Sequence, residues 1–460
     1  MIEISHTTKG YSGVMTSDWY GPMPMQNLTV ENGVAHFGIS NGNPHVPAKT
    51  WTAALNGDRL HVKGQVWYGK LDNDAVRGSE ADAKARRFHL SNLPSYTALK
   101  PDGLAKTPPM GWSSWNKFAD HIDDKTVREI ADAMVASGLR DAGYRYINID
   151  DGWQGKRAAD GSIQPNARFP DMKALADYLH NKGLKLGLYS SPGPKTCAGY
   201  EGSYGHVEQD AKTYAAWGID YLKYDLCSGE AFYQTQAQIR GAYQQMGQAL
   251  RATGRPIIYS LCEYGRDNVG SWGRSVGGHL WRTTGDISDK YSVMAKLGFD
   301  KNGAASNAGP GGWNDPDMLE VGNGGMSEDE YRTHMTLWAM SAAPLLMGHD
   351  LRHMDKATSQ LLENPGVIAI DQDAKGIQGQ AVSKDANTEV WTKALADGSQ
   401  AVALFNRSKA PQVISFTPAE TGFTRISKVT DLWRQQGVAT DKRQFKVPAH
   451  GAVLLKVTGV

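Results

Sequence analysis

The amino-acid sequence predicts an α/β protein: a (β/α)₈ TIM barrel, a small β-rich segment before it and an antiparallel β-sandwich after it. Three observations carry this reading. Eight short strand-like segments alternate with helical patterns between residues 105 and 372. Short alternating segments and turns fill residues 1–104. Beyond residue 373 the helical pattern stops and short strands between polar turns take over.

The eight candidate barrel strands are Gly111–Trp115, Arg145–Asp150, Leu184–Tyr189, Tyr221–Asp225, Ile257–Cys262, Leu280–Thr284, Gly312–Asp317 and Pro344–Gly348. Between them, Val127, Ile130, Ala131, Met134 and Val135 repeat at helical spacing behind the capping candidates Asp123 and Asp124. Asp171 precedes Met172, Leu175, Ala176 and Leu179, and Gly183 reads as a stop. Ser327-Glu328-Asp329-Glu330 reads as a capping box that opens a helix through Tyr331, Met335 and Trp338. Strands alternating with helices imply a parallel sheet, and eight units fit a closed barrel better than an open sheet. A doubly wound fold is the alternative, but no Gly-x-Gly-x-x-Gly follows the first strand.

The flanking parts are all β. Trp51–Leu55 and Leu60–Trp67 read as a hairpin around Asn56-Gly57, and Lys100-Pro101-Asp102-Gly103 marks a break. Residues 373–460 carry six candidate strands: Glu389–Thr392, Ala401–Asn406, Val413–Thr417, Lys428–Leu432, Gln444–Val447 and Ala452–Val457. The N-terminal part reads as a β-domain packed against the barrel. The alternative is a carbohydrate-binding module using Trp51 or Trp67.

Composition narrows the function. A formal net charge of +1 over 460 residues provides no basic stripe for nucleic acid. No apolar run reaches the length of a membrane span, and the N-terminus lacks a signal-peptide pattern. This reading expects either a cytoplasmic protein or one whose leader has been removed. Three cysteines exclude a disulfide-stapled scaffold, and no Cys or His pairs fall at zinc-ligand spacing. No metal or other cofactor is expected, and oligomeric state is not indicated. Thirteen tryptophans and nineteen tyrosines suit either a large core or the stacking of sugar faces.

Barrel enzymes place their chemistry at the C-terminal ends of the strands. Here those ends are acidic: Asp150-Asp151, Asp225, Asp286 shortly after the sixth strand, and Asp315 with Asp317. One such aspartate can simply cap the next helix. A whole ring of them is costly to enclose without a function. Clustered carboxylates among aromatics point to polyol binding and carboxylate-pair catalysis, as glycoside hydrolysis requires. An all-oxygen metal site is the rival and stays open at this point.

These residues resemble glycoside hydrolase family 27, the α-galactosidase family. The matching stretches are Thr107–Trp115, Ile149-Asp150-Asp151-Gly152-Trp153, Lys195–Tyr200, Lys223-Tyr224-Asp225, Trp281-Arg282 followed by Asp286, and Gly311–Leu319. They cover the chain from about residue 105 onward, and residues 1–104 fall outside. The resemblance implies a retaining, exo-acting α-galactosidase that takes an oligosaccharide, polysaccharide or glycoconjugate. Asp225 would be the nucleophile and Asp286 the general acid, then base. Trp115 would wall the pocket and Tyr189 would lie beside the nucleophile. Asp150 and Asp151 would hold O6 and O4, Lys223 would hold O3 and O4, and Arg282 with Asp317 would hold O2. Cys197 and Cys227 match a family disulfide, with Cys197 also close to O6. That disulfide implies an oxidising compartment, periplasmic or extracellular, against a cytoplasmic enzyme with reduced thiols.

Physical expectations follow from these implied roles. Lys223, two residues before Asp225, should share its strand face and help keep it ionised. Asp286 should be held protonated by burial or by the Asp225 charge. Retention calls for carboxyl groups roughly 5–5.5 Å apart. Two aspartates at positions 150 and 151 favour a sugar that keeps its hydroxymethyl group, over a β-L-arabinopyranoside. Cys262 fits the galactosidase form of the loop Leu261-Cys262-Glu263-Tyr264-Gly265, over an α-N-acetylgalactosaminidase form. Tyr264 departs from the family's tryptophan, and Ser190-Ser191-Pro192-Gly193-Pro194 departs at the pocket rim. Retention of both Asp225 and Asp286 argues against a catalytically silent sugar-binding protein.

Overall fold

The computed structural model describes residues 1–17, 21–40, 48–66, 69–79, 81, 92–233 and 235–460. Its centre is one parallel sheet of eight strands: β9 (Met110–Ser113), β10 (Tyr146–Asn148), β11 (Lys185–Ser190), β12 (Tyr221–Asp225), β13 (Ile258–Cys262), β14 (Leu280–Arg282), β15 (Trp313–Asp315) and β16 (Leu345–Met347). They lie in chain order from β9 to β15, and β16 pairs with β9. The last seam is bridged by Leu319, just past β15, which pairs with Met347 of β16. All eight expected strands are present. Several are shorter than expected; the first ends at Ser113, because a helical turn over Trp115–Phe118 follows directly after Ser114.

The strands read as unbroken apolar runs because both faces are covered, as in other all-parallel sheets. β13 is buried at every position. Helices α1 (Asp124–Ala136), α2 (Met172–Asn181), α3 (Val207–Trp217), α4 (Gln236–Ala252) and α5 (Glu328–Ser341) wrap the outside. Their starts follow local chemistry. Asp123 accepts from the Thr126 amide at 2.8 Å, and Asp171 accepts from the Ala174 amide at 2.9 Å. Ser327 and Glu330 form a reciprocal capping box at the start of α5. Leu104 and Ala105 pack with Tyr221, Ile258, Leu280 and Trp313, which form a separate apolar cluster of strand residues. Trp313 also donates its indole N–H to the Ala105 carbonyl at 2.8 Å.

The C-terminal part is a sandwich. One sheet has the order β17 (Gln380–Lys384), β18 (Thr388–Ala394), β19 (Gln400–Asn406), β24 (Ala452–Gly459), β21 (Ile426–Asp431) and β22 (Gln436–Val438). The other pairs β20 (Gln412–Ser415) with β23 (Gln444–Val447). Val402 and Leu404 meet Ile414 and Phe445 in the core between them. Strands β17 and β22 go unpredicted because they lack a buried alternating face; every residue of β17 is exposed. Helix α5 lies between barrel and sandwich and is buried almost throughout. Lys393 of β18 donates to the Ala339 carbonyl of α5 at 2.9 Å.

The N-terminal part forms a three-stranded sheet, β1 (Ile2–Thr7), β2 (Gly10–Ser17) and β3 (Gly21–Pro24), and a five-stranded one, β4 (Gln26–Glu31), β5 (Val34–Ile39), β6 (Lys49–Asn56), β7 (Arg59–Val66) and β8 (Gly69–Val76). The expected hairpin exists with its turn one residue later. Asn56 pairs with Arg59, so Gly57 and Asp58 form the loop, with Gly57 at φ 63°. Glycine takes the positive φ that Asn56 would otherwise have to adopt. Trp51 is buried in this part's own core beside Phe37 and Val62, so it offers no face to a glycan. Trp67 lies outside the described residues. The chain then runs along α4, where the Thr97 amide donates to Gln244 at 3.0 Å.

Replacing Ser327 by Ala removes one half of the α5 capping box. Urea unfolding should show a loss of about 1 kcal/mol, with activity at saturating substrate unchanged.

Candidate active site

The C-terminal ends of the barrel strands converge on one open cavity of about 100 Å³. It is lined by Trp115, Asp150, Asp151, Tyr189, Cys197, Lys223, Asp225, Tyr264, Arg282, Asp286 and Asp317. Of the catalytic and sugar-contacting residues expected from the sequence, Cys262 alone is not in the wall. It is buried behind Arg282, whose Nη1 approaches its Sγ at 3.8 Å. Three lining residues were not singled out: Asn116, Ile287 and Met318. Each directly follows one that was, and adjacency was the available signal.

Two buried cations organise the acids. Lys223 Nζ donates to Asp150 Oδ2 at 2.8 Å. The ammonium reaches across from β12 to the end of β10, and its charge also lowers the Asp225 carboxyl as expected. Burial is the largest single influence and works against the Lys223 charge, but the Asp150, Cys262 and Asp225 groups together outweigh it and hold the ammonium well above its ordinary pKa. Arg282 donates to Asp286 Oδ1 at 3.0 Å, and its Nη2 lies 3.1 Å from Asp317 Oδ2. Burial opposes its charge too, and Asp317 with Cys262, Asp286 and Asp315 together outweighs that penalty.

The acids are fixed by backbone donors. Asp150 Oδ1 accepts from the Asp151 amide at 2.9 Å, and the Asp150 amide donates to Ser114 Oγ at 3.0 Å. Asp151 Oδ1 accepts from the Gly152 amide at 2.9 Å, while Oδ2 accepts from the Ala198 amide at 2.7 Å. Burial pushes the Asp151 carboxyl up to about 7, and the Asp150 and Asp225 charges add to it. Asp317 sits at φ 87°, with its carboxylate held by the Ile287 and Met318 amides at 2.8 Å each. Its carbonyl accepts from the Trp338 indole of α5 at 2.8 Å.

Asp225 ends β12 and is buried. Burial raises its carboxyl to about 6, against the lowering pull of the Lys223 charge and a hydrogen bond from Tyr264. That bond runs from the Tyr264 hydroxyl to Asp225 Oδ1 at 2.8 Å. Asp286 differs from expectation. Its side chain is 72% exposed and pairs with Arg282, so the burial expected around it is absent. Cys197 and Cys227 are bonded to each other, and the Tyr189 hydroxyl lies 3.1 Å from Cys227 Sγ. Among the described residues, the one grouping spaced for a metal is Cys197, Asp225 and Cys227. The disulfide already occupies two of its three ligand atoms.

Carboxylates, cations and aromatics around a ring-sized opening suit a sugar and the breaking of its glycosidic bond. Fold and site together define a glycoside hydrolase. Residues 107–373 match the family model described as alpha galactosidase A, and residues 385–457 match the alpha galactosidase C-terminal beta sandwich domain. The α-galactosidase of Cyamopsis tetragonoloba is 46% identical over 368 residues, covering 78% of this chain and 88% of that protein. Human alpha-galactosidase A is 40% identical, covering 71% and 80%. The crystal structure of α-galactosidase I from Mortierella vinacea superposes with a TM-score of 0.73 at 35% identity, covering 78% of this chain and 98% of that one. A Bacteroides fragilis structure at 34% identity and a TM-score of 0.72 covers 99% of this chain, N-terminal sheets included, and 91% of its own. The chain belongs to the α-galactosidase family, glycoside hydrolase family 27.

Asp225 is an acid whose folded pKa of about 6 lies above its unfolded value. Its burial therefore costs no stability below the unfolded pKa, and the cost grows as pH rises through about 6. Asp225→Asn should raise the thermal midpoint at pH 7.5. The gain should shrink as pH is lowered toward 4, as read by calorimetry.

Proposed function

We propose that the protein is a retaining, exo-acting α-galactosidase. The observation that carries this reading is the pairing of buried Asp225 with Asp286 across a cavity small enough for one sugar ring. At about 100 Å³ the cavity falls well below the 300–1,000 Å³ common for larger ligands. That favours removal of a terminal residue over cleavage within a chain. The names of its relatives support galactose as that residue.

In this reading Asp225 attacks the anomeric carbon, the glycosidic C–O bond breaks and the leaving oxygen takes the proton of Asp286. Water then attacks the same carbon. Asp286 takes the water's proton, and the bond to Asp225 breaks to return its carboxylate. The exposed position of Asp286 suits a group that must meet both the aglycone and incoming water. Asp150, paired with Lys223, and Asp151, tied to the Ala198 amide, are assigned to O6 and O4. Lys223 is assigned to O3 and O4. The Arg282–Asp317 pair is assigned to O2. Tyr189 and Trp115 are assigned to the walls, and Cys197 to the wall near O6.

Four measurements test this. Proton NMR of early turnover on a nitrophenyl α-galactoside should show α-galactose first; β-galactose first would refute retention. Asp225→Asn should lower kcat by at least about 10⁴, and near-normal turnover would displace the nucleophile. The acid limb of the kcat/KM profile should fall near pH 6, because the protonated Asp225 cannot attack. A lower kcat/KM on the α-galactoside than on the matching α-N-acetylgalactosaminide would instead assign the acetamido sugar.

The Cys197–Cys227 bond favours an oxidising compartment, periplasmic or extracellular. Thiol titration of the denatured enzyme purified under non-reducing conditions should find one free thiol, Cys262. Three would argue for a reduced, intracellular setting.

A further inference from the structure

Tyr264 lies in the loop after β13, in a strained position. Its φ is 63°, a left-handed conformation that is unfavourable for a bulky aromatic residue. The next residue, Gly265, has φ 78°, and a Cβ there would fall 2.3 Å from the Thr283 carbonyl oxygen. The loop is thus pressed against the segment following β14, which ends in Arg282. The buried Glu263 carboxylate accepts from the Gly265 amide at 3.1 Å and braces the turn. The Arg282 guanidinium stands 5.8 Å from the centre of the Tyr264 ring, and Cys197 Sγ lies 3.7 Å from its hydroxyl. Backbone strain, a glycine-only contact and a cation over the ring together fix one small group, the hydroxyl that donates to Asp225 Oδ1 at 2.8 Å.

We propose that Tyr264 is a positioning residue for the nucleophile, acting mainly on the second half of the reaction: its hydroxyl holds Asp225 Oδ1, leaves Oδ2 to bond the sugar, and assists departure of the carboxylate when water attacks. The proposal rests on the assignment of Asp225 as nucleophile. In the first step Oδ2 forms a bond to the anomeric carbon while the aglycone leaves with the proton of Asp286. Asp225 passes from carboxylate to ester, and Oδ1 becomes an ester carbonyl oxygen, a weaker acceptor. In the second step water bonds to that carbon, its proton passes to Asp286, and the C–Oδ2 bond breaks with the electron pair returning to Asp225. Negative charge reappears on the carboxylate, and a hydrogen bond to a charged acceptor is about twice as strong as one to a neutral acceptor. The Tyr264 bond therefore strengthens along the second step and weakens along the first. Glycosylation is held back slightly, and deglycosylation is accelerated.

The test uses Tyr264→Phe in the full chain, which deletes the hydroxyl and keeps the ring. Tyr264→Met, also without a hydroxyl, serves if the phenylalanine variant does not fold. A fluorinated galactosyl fluoride measures the two steps separately, as the rate of inactivation and, after removal of excess reagent, the rate of reactivation. Mass spectrometry of the labelled peptide identifies the nucleophile. The variant should reactivate about tenfold more slowly than the parent, with inactivation changed by less than about twofold. On a nitrophenyl α-galactoside, kcat and KM should fall together and leave kcat/KM nearly constant. Equal slowing of both steps, or unchanged reactivation, would overturn the role of Tyr264 while leaving a labelled Asp225 as nucleophile. A label on another residue would overturn the nucleophile assignment itself.

Discussion

The structure depends on keeping several carboxylates ionisable inside a barrel mouth where water is scarce. Each buried acid is penalised by desolvation, and like charges nearby add to the penalty. Lys223 and Arg282 offset this, one from β12 and one from β14, by pairing with Asp150 and Asp317. Removing one partner of such a buried pair costs about 3–5 kcal/mol, because the other is left charged and unpaired. The cations therefore have a structural part, as the counter-charges that Asp150 and Asp317 meet inside the barrel mouth.

That constraint explains why the site is tied so closely to the scaffold. Asp151 is fixed by the Ala198 amide, from the loop that the Cys197–Cys227 bond anchors. Asp317 is fixed by amides after β14 and β15 and by the Trp338 indole, which belongs to the helix between barrel and sandwich. The C-terminal sandwich thus acts on the site through α5, which it covers. Asp286 is the exception. It carries one ion pair and faces solvent, which suits the acid/base role proposed for it.

Much of this was readable in the linear sequence. All eight barrel strands could be placed, because a fully buried parallel strand is an apolar run that ends where the acids begin. Helix starts at Asp123, Asp171 and Ser327 were readable because capping is local chemistry. The site acids could be listed because they stand at strand ends. Less local features were missed or misplaced. The exposed edge strand β17 has no buried face to betray it, and the hairpin turn moved to Gly57-Asp58 because pairing across the sheet sets the register.

The sequence by itself determined the architecture, the identity of the acids and the family, since these rest on periodicity, capping and motif residues close together in the chain. Only the tertiary structure decided what each charge meets. Lys223 pairs with Asp150, Cys262 withdraws behind Arg282, and Asp286 stands in solvent. Tyr264, at sequence level a departure from the family's tryptophan, reaches Asp225 through a left-handed backbone turn. These outcomes depend on distances between residues far apart in the chain. Electrostatic interactions and desolvation are set by those distances, and the order of residues does not encode them directly.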